Sequence, residues 1–97
     1  MEAARGLARR MIEEGGDHLK TRLIYGFRAC AARTPEEKEI ERLAILYGRR
    51  LDNFAANATE AGKVAGPNSN QLTAAEFAAL TMVANVLLNL DETFTKE

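Results

Sequence analysis

Ninety-seven residues, 46% hydrophobic and 28% charged, suit one packed domain, because two would each be too small to bury an adequate core. The same balance excludes a disordered chain. Thirteen Lys and Arg against fourteen Asp and Glu give a net charge of -1, which excludes the overall basic footprint of a nucleic-acid binder. Cys30 is the single cysteine, so an internal disulfide and any paired-cysteine zinc or haem-attachment motif are also excluded. The charge is uneven along the chain. Residues 1–50 hold eleven basic and eight acidic side chains, a balance of +3, and residues 51–97 hold two and six, a balance of -4, so a mildly basic face is expected in the first half. The start, Met1-Glu2-Ala3-Ala4-Arg5, is charged and helical in character and does not read as a targeting signal.

The first segment places Ala4, Leu7, Ala8, Met11 and Ile12 at offsets of three and four, one apolar stripe on a helix. Gly15-Gly16 ends it, and Asp17 is positioned to cap a second helix whose stripe is Leu23, Ile24, Phe27, Cys30 and Ala31. Thr34-Pro35-Glu36-Glu37 has the form of a helix start: a hydroxyl N-cap, proline at the first helical position and a carboxylate three residues on. The long third helix that follows has Ile40, Leu43, Ala44, Tyr47, Leu51 and Phe54 on its inner face, with Lys38–Glu41 and Glu39–Arg42 one turn apart on the outer side.

From Asn57 to Gln71 the composition turns to Ala, Asn, Gly and Ser, and Gly66-Pro67-Asn68-Ser69-Asn70 is a cluster of helix breakers. This is the expected main loop, within which Ala58 to Ala65 can make a short helical turn that Gly62 weakens. Thr73-Ala74-Ala75-Glu76 then has capping-box spacing and opens a fourth helix running to about Leu90. Phe77, Leu80, Met82, Val83, Val86, Leu87, Leu88 and Leu90 cover most of its circumference. Thr81, Asn85 and Asn89 form the thin polar strip that remains. Such a helix is expected to lie centrally in the bundle or beneath another covering. Glu76, the asparagines and the alanines leave it short of the ~20 strongly apolar residues of a membrane span.

No catalytic or metal-binding constellation is expected. His18 is the single histidine and has no second ligand or nucleophile at a useful spacing, so it reads as a surface or capping residue. Met11 and Met82 read as core fillers rather than haem ligands. The acidic pairs Glu13-Glu14, Glu36-Glu37 and Asp91-Glu92 diverge by about 100 degrees on a helix and suit solvated helix ends better than paired acid–base work. Arg9-Arg10 and Arg49-Arg50 suit a phosphate or an acidic partner, although ordinary surface arginine accounts for them more simply. Cys30 reads as a small hydrophobe on the inner stripe. Asn85 and Asn89, with Asp91 beyond them, are the candidate ligand or partner contacts, because amides on an apolar helix need partners if buried.

Two stretches carry a family likeness: Phe27-Arg28-Ala29-Cys30-Ala31-Ala32-Arg33-Thr34-Pro35-Glu36-Glu37, and Ala84-Asn85-Val86-Leu87-Leu88-Asn89-Leu90-Asp91-Glu92-Thr93-Phe94-Thr95. Together they resemble the C-terminal end of a domain of unknown function found in large planctomycete cytochrome c-associated surface proteins. The resemblance implies a helical module of a secreted, periplasmic or cell-surface protein whose separate N-terminal region binds haem. The CxxCH motif of that region is missing from this chain, and the family supplies no catalytic residues.

The expectation is therefore a single all-α domain over residues 1–97, an antiparallel bundle of four helices with a long loop between the third and fourth, forming the C-terminal piece of a larger protein. It is expected to be a non-enzymatic structural or interaction module with no cofactor and no metal. Its expected partner is the remainder of the parent polypeptide or another protein, including a second copy of itself, and neither nucleic acid nor a membrane span. The alternative is a helical domain that contributes Asn85, Asn89 and Asp91 to a ligand or active-site pocket of the parent.

Overall fold

Every regular element among the described residues is helical. The structure is a computed structural model that describes residues 2–31, 33–66 and 72–89. Its helices are α1 (Glu2–Glu14), α2 (Leu19–Ala31), α3 (Glu37–Ala56), α4 (Ala58–Ala65) and α5 (Ala74–Leu88). The all-helical class expected from periodicity is present, but the described residues form five helices rather than four, because the short helical turn over Ala58 to Ala65 within the expected loop is a helix of its own.

That additional helix, α4, is held at both ends. At its start the Asn57 side chain accepts the Glu60 N–H at 3.2 Å, an N-cap that satisfies one of the orphan donors. At its other end Arg5 of α1 donates from Nε to the Val64 carbonyl at 2.9 Å and from Nη2 to the Lys63 carbonyl at 3.1 Å. Last-turn carbonyls have no partner within their own helix, and a guanidinium also answers the negative end of the helix dipole. Ala61 and Ala65 bury the inner face. Gly62 lies on the exposed side with open space around it, so its cost is limited to intrinsic propensity, ~1 kcal/mol. Gly66 ends the helix at φ +64, and a Cβ there would stand 2.9 Å from Arg5 Nε; glycine supplies both the backbone conformation and the room for the arginine.

Helix α3 begins later than its sequence suggests. Its N-cap is Glu36 rather than Thr34. The Glu39 carboxylate reaches back to the Glu36 N–H at 2.8 Å and also receives Arg33 at 3.1 and 2.7 Å. This two-bond fork anchors the start at Glu37, leaving Pro35 ahead of the cap. Glu39 is thereby drawn to Arg33 and away from the wet outer side expected for it. At the head of α5 the expected capping box is present: Thr73 Oγ1 accepts the Glu76 N–H at 3.1 Å, and Glu76 Oε1 accepts the Thr73 N–H at 2.9 Å.

Helix α5 is the centre of the molecule and touches each of the other four. Phe77, Leu80, Val83 and Leu87 are at most 1% exposed, and Ala78, Ala79 and Ala84 are completely buried. Its nearly uniform apolar surface thus has a source inside the chain: a helix surrounded by neighbours has no solvent face to mark. The small alanines let those neighbours come close. Thr81, expected on the outward polar strip, is instead fully buried, with its hydroxyl donating to the Phe77 carbonyl at 2.7 Å. One turn back along its own helix is the partner a buried hydroxyl requires. Asn85 is half-buried and Asn89 exposed, so the strip rises out of the core toward the end of the helix.

Where α1, α2 and α5 meet, Gly26 of α2 faces Met11 and Leu87. A Cβ at position 26 would lie 2.8 Å from Met11 Sδ and 3.0 Å from Leu87 Cδ1, so the absent side chain is what admits both neighbours. No helix among the described residues is long and apolar enough to cross a membrane.

Candidate functional site

Of the three contacts expected from sequence, Asn89 is exposed and its Nδ2 donates to the Asn85 carbonyl of the same helix at 2.7 Å. Asn85 is half-buried, and Asp91 lies outside the described residues. The amide of Asn89 is thus occupied in closing the last turn of α5, where the chain's own carbonyls need donors.

A different concave surface lies on the opposite part of the sequence. It is an open-sided groove of about 740 Å³ between the end of α1 and the flank of α2, continuing to Arg33 and Thr34. Residues Thr21, Tyr25 and Arg28 of α2 follow at three- and four-residue intervals and so share one face. That face lies beside the apolar stripe which buries Leu23 and Phe27. Ile24 and Ala29 supply apolar floor, and Arg10 and Glu14 come from the last turns of α1.

The groove's polar groups are ordered among themselves. Arg10 Nη2 donates to Tyr25 Oη at 3.1 Å, and Tyr25 Oη in turn donates to Glu14 Oε1 at 3.0 Å. The Arg10 guanidinium also lies 5.8 Å from the Tyr25 ring centroid, within cation–π range. Arg33 is held more tightly, by the Glu39 fork and by the Phe27 ring, whose centroid is 4.8 Å away. The Arg33–Glu39 fork keeps the Glu39 carboxyl below the usual carboxylate range, with the Glu36 N–H adding to the effect. Arg28, in the last turn of α2, is exposed and makes no hydrogen bond or ion pair among the described residues. It is the groove's unspent cation.

The other residues singled out by sequence fall elsewhere. Arg9 stands over the Phe77 ring at 5.9 Å, so the Arg9-Arg10 pair is divided between core edge and groove. His18 is exposed, and its carbonyl accepts the Thr21 hydroxyl at 2.8 Å. Glu37 meets Lys20 at 3.4 Å, and Glu13 is exposed. Cys30 is half-buried, and burial pushes its thiol upward with Arg10 pulling weakly the other way, an environment that disfavours the nucleophilic thiolate. Among the described residues no three His, Cys, Asp or Glu side chains are grouped to hold a metal ion.

No protein family, curated protein or solved structure matches this chain. The site is therefore read from its own chemistry. Arginines, which stay charged throughout the working pH range, line an open groove with hydroxyls and an apolar floor, an arrangement suited to holding an anionic group. Neither Arg28 nor Tyr25 was singled out by the sequence; the signal that could have found them is their three-residue spacing on α2, which puts them on one face. Their conjunction with Arg10 has no such signal, because it depends on how α1 lies against α2.

Proposed function

We propose that the chain is a non-catalytic interaction module of a larger polypeptide, with the groove between α1 and α2 as its binding face. The observation that carries this reading is Arg28, a guanidinium with no partner among the described residues, exposed at the lip of a groove that already holds two further arginines. Docking through the apolar surface of α5 has less support. Four helices cover it, and of its large apolar side chains Val86 and Leu88 are exposed, at 43% and 45%. The alternative pocket built on Asn85, Asn89 and Asp91 has the half-burial of Asn85 in its favour. The parent in this proposal is a cytochrome c-associated envelope or secreted protein of the planctomycete type, a placement that rests on the resemblance carried by residues 27–37 and 84–95.

The test is calorimetric titration of this chain with the separately expressed remainder of its polypeptide. Saturable binding that weakens in Arg10→Gln and Arg28→Gln is the expected outcome. Binding indifferent to both substitutions moves the face away from the groove, and no binding at all refutes the interaction module.

A further inference from the structure

Resting on the groove as the binding face, we infer that its ligand is a short, extended, acidic peptide segment, held through side-chain carboxylates by Arg28 and Arg10. Three features select this class over a compact phosphate or a nucleic acid.

The first is shape. Thr21 and Arg28 both line the groove, and seven residues of helix separate them by roughly 10 Å along the axis. At about 3.3 Å per residue an extended strand crosses that span in three or four residues. A phosphate ion is far smaller than a groove of about 740 Å³.

The second is the distribution of donors. A tight phosphate site gathers several donors around one centre. Here Arg33 is committed to Glu39 and Arg10 gives one N–H to Tyr25, so of the three arginines that line the groove Arg28 is the one with no partner among the described residues. Arg10 has four further N–H groups for a second carboxylate. Single-stranded nucleic acid calls for aromatic faces on which bases stack, whereas Tyr25, the groove's one aromatic ring, has the Arg10 guanidinium beside it.

The third is the remainder of the lining. Glu14 accepts the Tyr25 hydroxyl's hydrogen bond on one oxygen and retains the other for a donor on the ligand. A peptide N–H supplies such a donor and a phosphate dianion does not. Ile24 and Ala29 are the apolar members of the lining and suit an apolar side chain two positions beyond the acidic pair, on the same face of the strand.

The test is backbone-amide chemical-shift mapping of the full 97-residue chain against four probes: the capped peptides Glu-Ala-Glu-Ala-Leu and Gln-Ala-Gln-Ala-Leu, whose first and third side chains share one face of an extended strand, inorganic phosphate and oligothymidylate. The acidic peptide is expected to shift the amides from Thr21 to Ala29 saturably, and less so as salt is added. The affinity should fall about ten- to a hundredfold for Arg28→Gln, the scale of one charge-assisted hydrogen bond, and at least as far for the glutamine peptide, which lacks both carboxylates. Arg28 is exposed and unpartnered among the described residues, so its replacement leaves the unfolding midpoint in place and the loss reports binding. Equal affinity for the two peptides, or an Arg28→Gln chain that binds as before, overturns the inference. Phosphate or oligothymidylate saturating the groove in place of the peptide overturns it while leaving the groove as the binding face. Failure of all four probes to shift the groove overturns the inference, while the groove as binding face stands or falls by the titration with the remainder of the polypeptide.

Discussion

The meeting of Gly26, Met11 and Leu87 allows a prediction whose sign changes with its context. Leu87 is 1% exposed, and replacing it by alanine removes buried methylene-scale volume worth ~0.8 kcal/mol per group, with a cavity cost added. The expected loss is about 2–5 kcal/mol, a large part of the ~5–15 kcal/mol typical of a folded domain. In the native background Gly26→Ala gains up to about 1 kcal/mol of helix propensity. Against this, its new methyl would stand 2.8 Å from Met11 Sδ and 3.0 Å from Leu87 Cδ1, and overpacking costs roughly 1–3 kcal/mol. Met11 is completely buried and has no open side to retreat into, so the net effect is neutral to about 2 kcal/mol destabilising. In the Leu87→Ala background the methyl and the displaced thioether both have space, and Gly26→Ala becomes stabilising. Urea unfolding of the four proteins, followed by far-ultraviolet circular dichroism, measures the cycle; the predicted coupling is about 1–3 kcal/mol. Additivity within ~0.3 kcal/mol, or a Leu87→Ala loss below about half a kcal/mol against the range for core leucines, refutes the packing argument.

Arg5→Ala removes both side-chain bonds to the end of α4 and is expected to cost about 1–2 kcal/mol, with faster amide exchange at Val64, Ala65 and Gly66; exchange there at the native rate would show that α4 does not depend on Arg5. The depressed Glu39 carboxyl contributes stability that is complete above the free-glutamate value of roughly 4.3 and is lost as pH falls through the lower folded-state value. Glu39→Gln is therefore expected to flatten part of the acid-side decline in thermal midpoint, by about 1 kcal/mol or less for this partly exposed pair. Parallel acid profiles for the two proteins would remove Glu39 from the account.

The stripes on α1, α2 and α3, the capping box at Thr73 and the nearly all-round apolar character of α5 were all readable in the sequence. Each depends on residues within a few positions of one another, and local periodicity and capping act over that range. Where the reading diverged, a distant residue intervened. Arg5 lies 59 positions from Val64 yet completes α4, holding the end of a helical turn over Ala58 to Ala65 that Gly62 was expected to weaken. Arg33 drew Glu39 inward and delayed the start of α3. Thr81 looked outward because threonine is polar, but with all four other helices packed on α5 its hydroxyl was buried and satisfied within its own turn.

The order of residues by itself determined an all-helical chain with one strongly apolar helix, since spacing and end signals decide which segments coil and which faces avoid water. The packing of those segments decided the rest: that α5 is wrapped by helices of its own chain, and that Arg10 reaches Tyr25 fifteen residues away to build a groove between α1 and α2. Helix formation is local, whereas the angle at which one helix settles on another follows from the side chains of both, and a binding surface shared by two helices comes into being only once that angle is set.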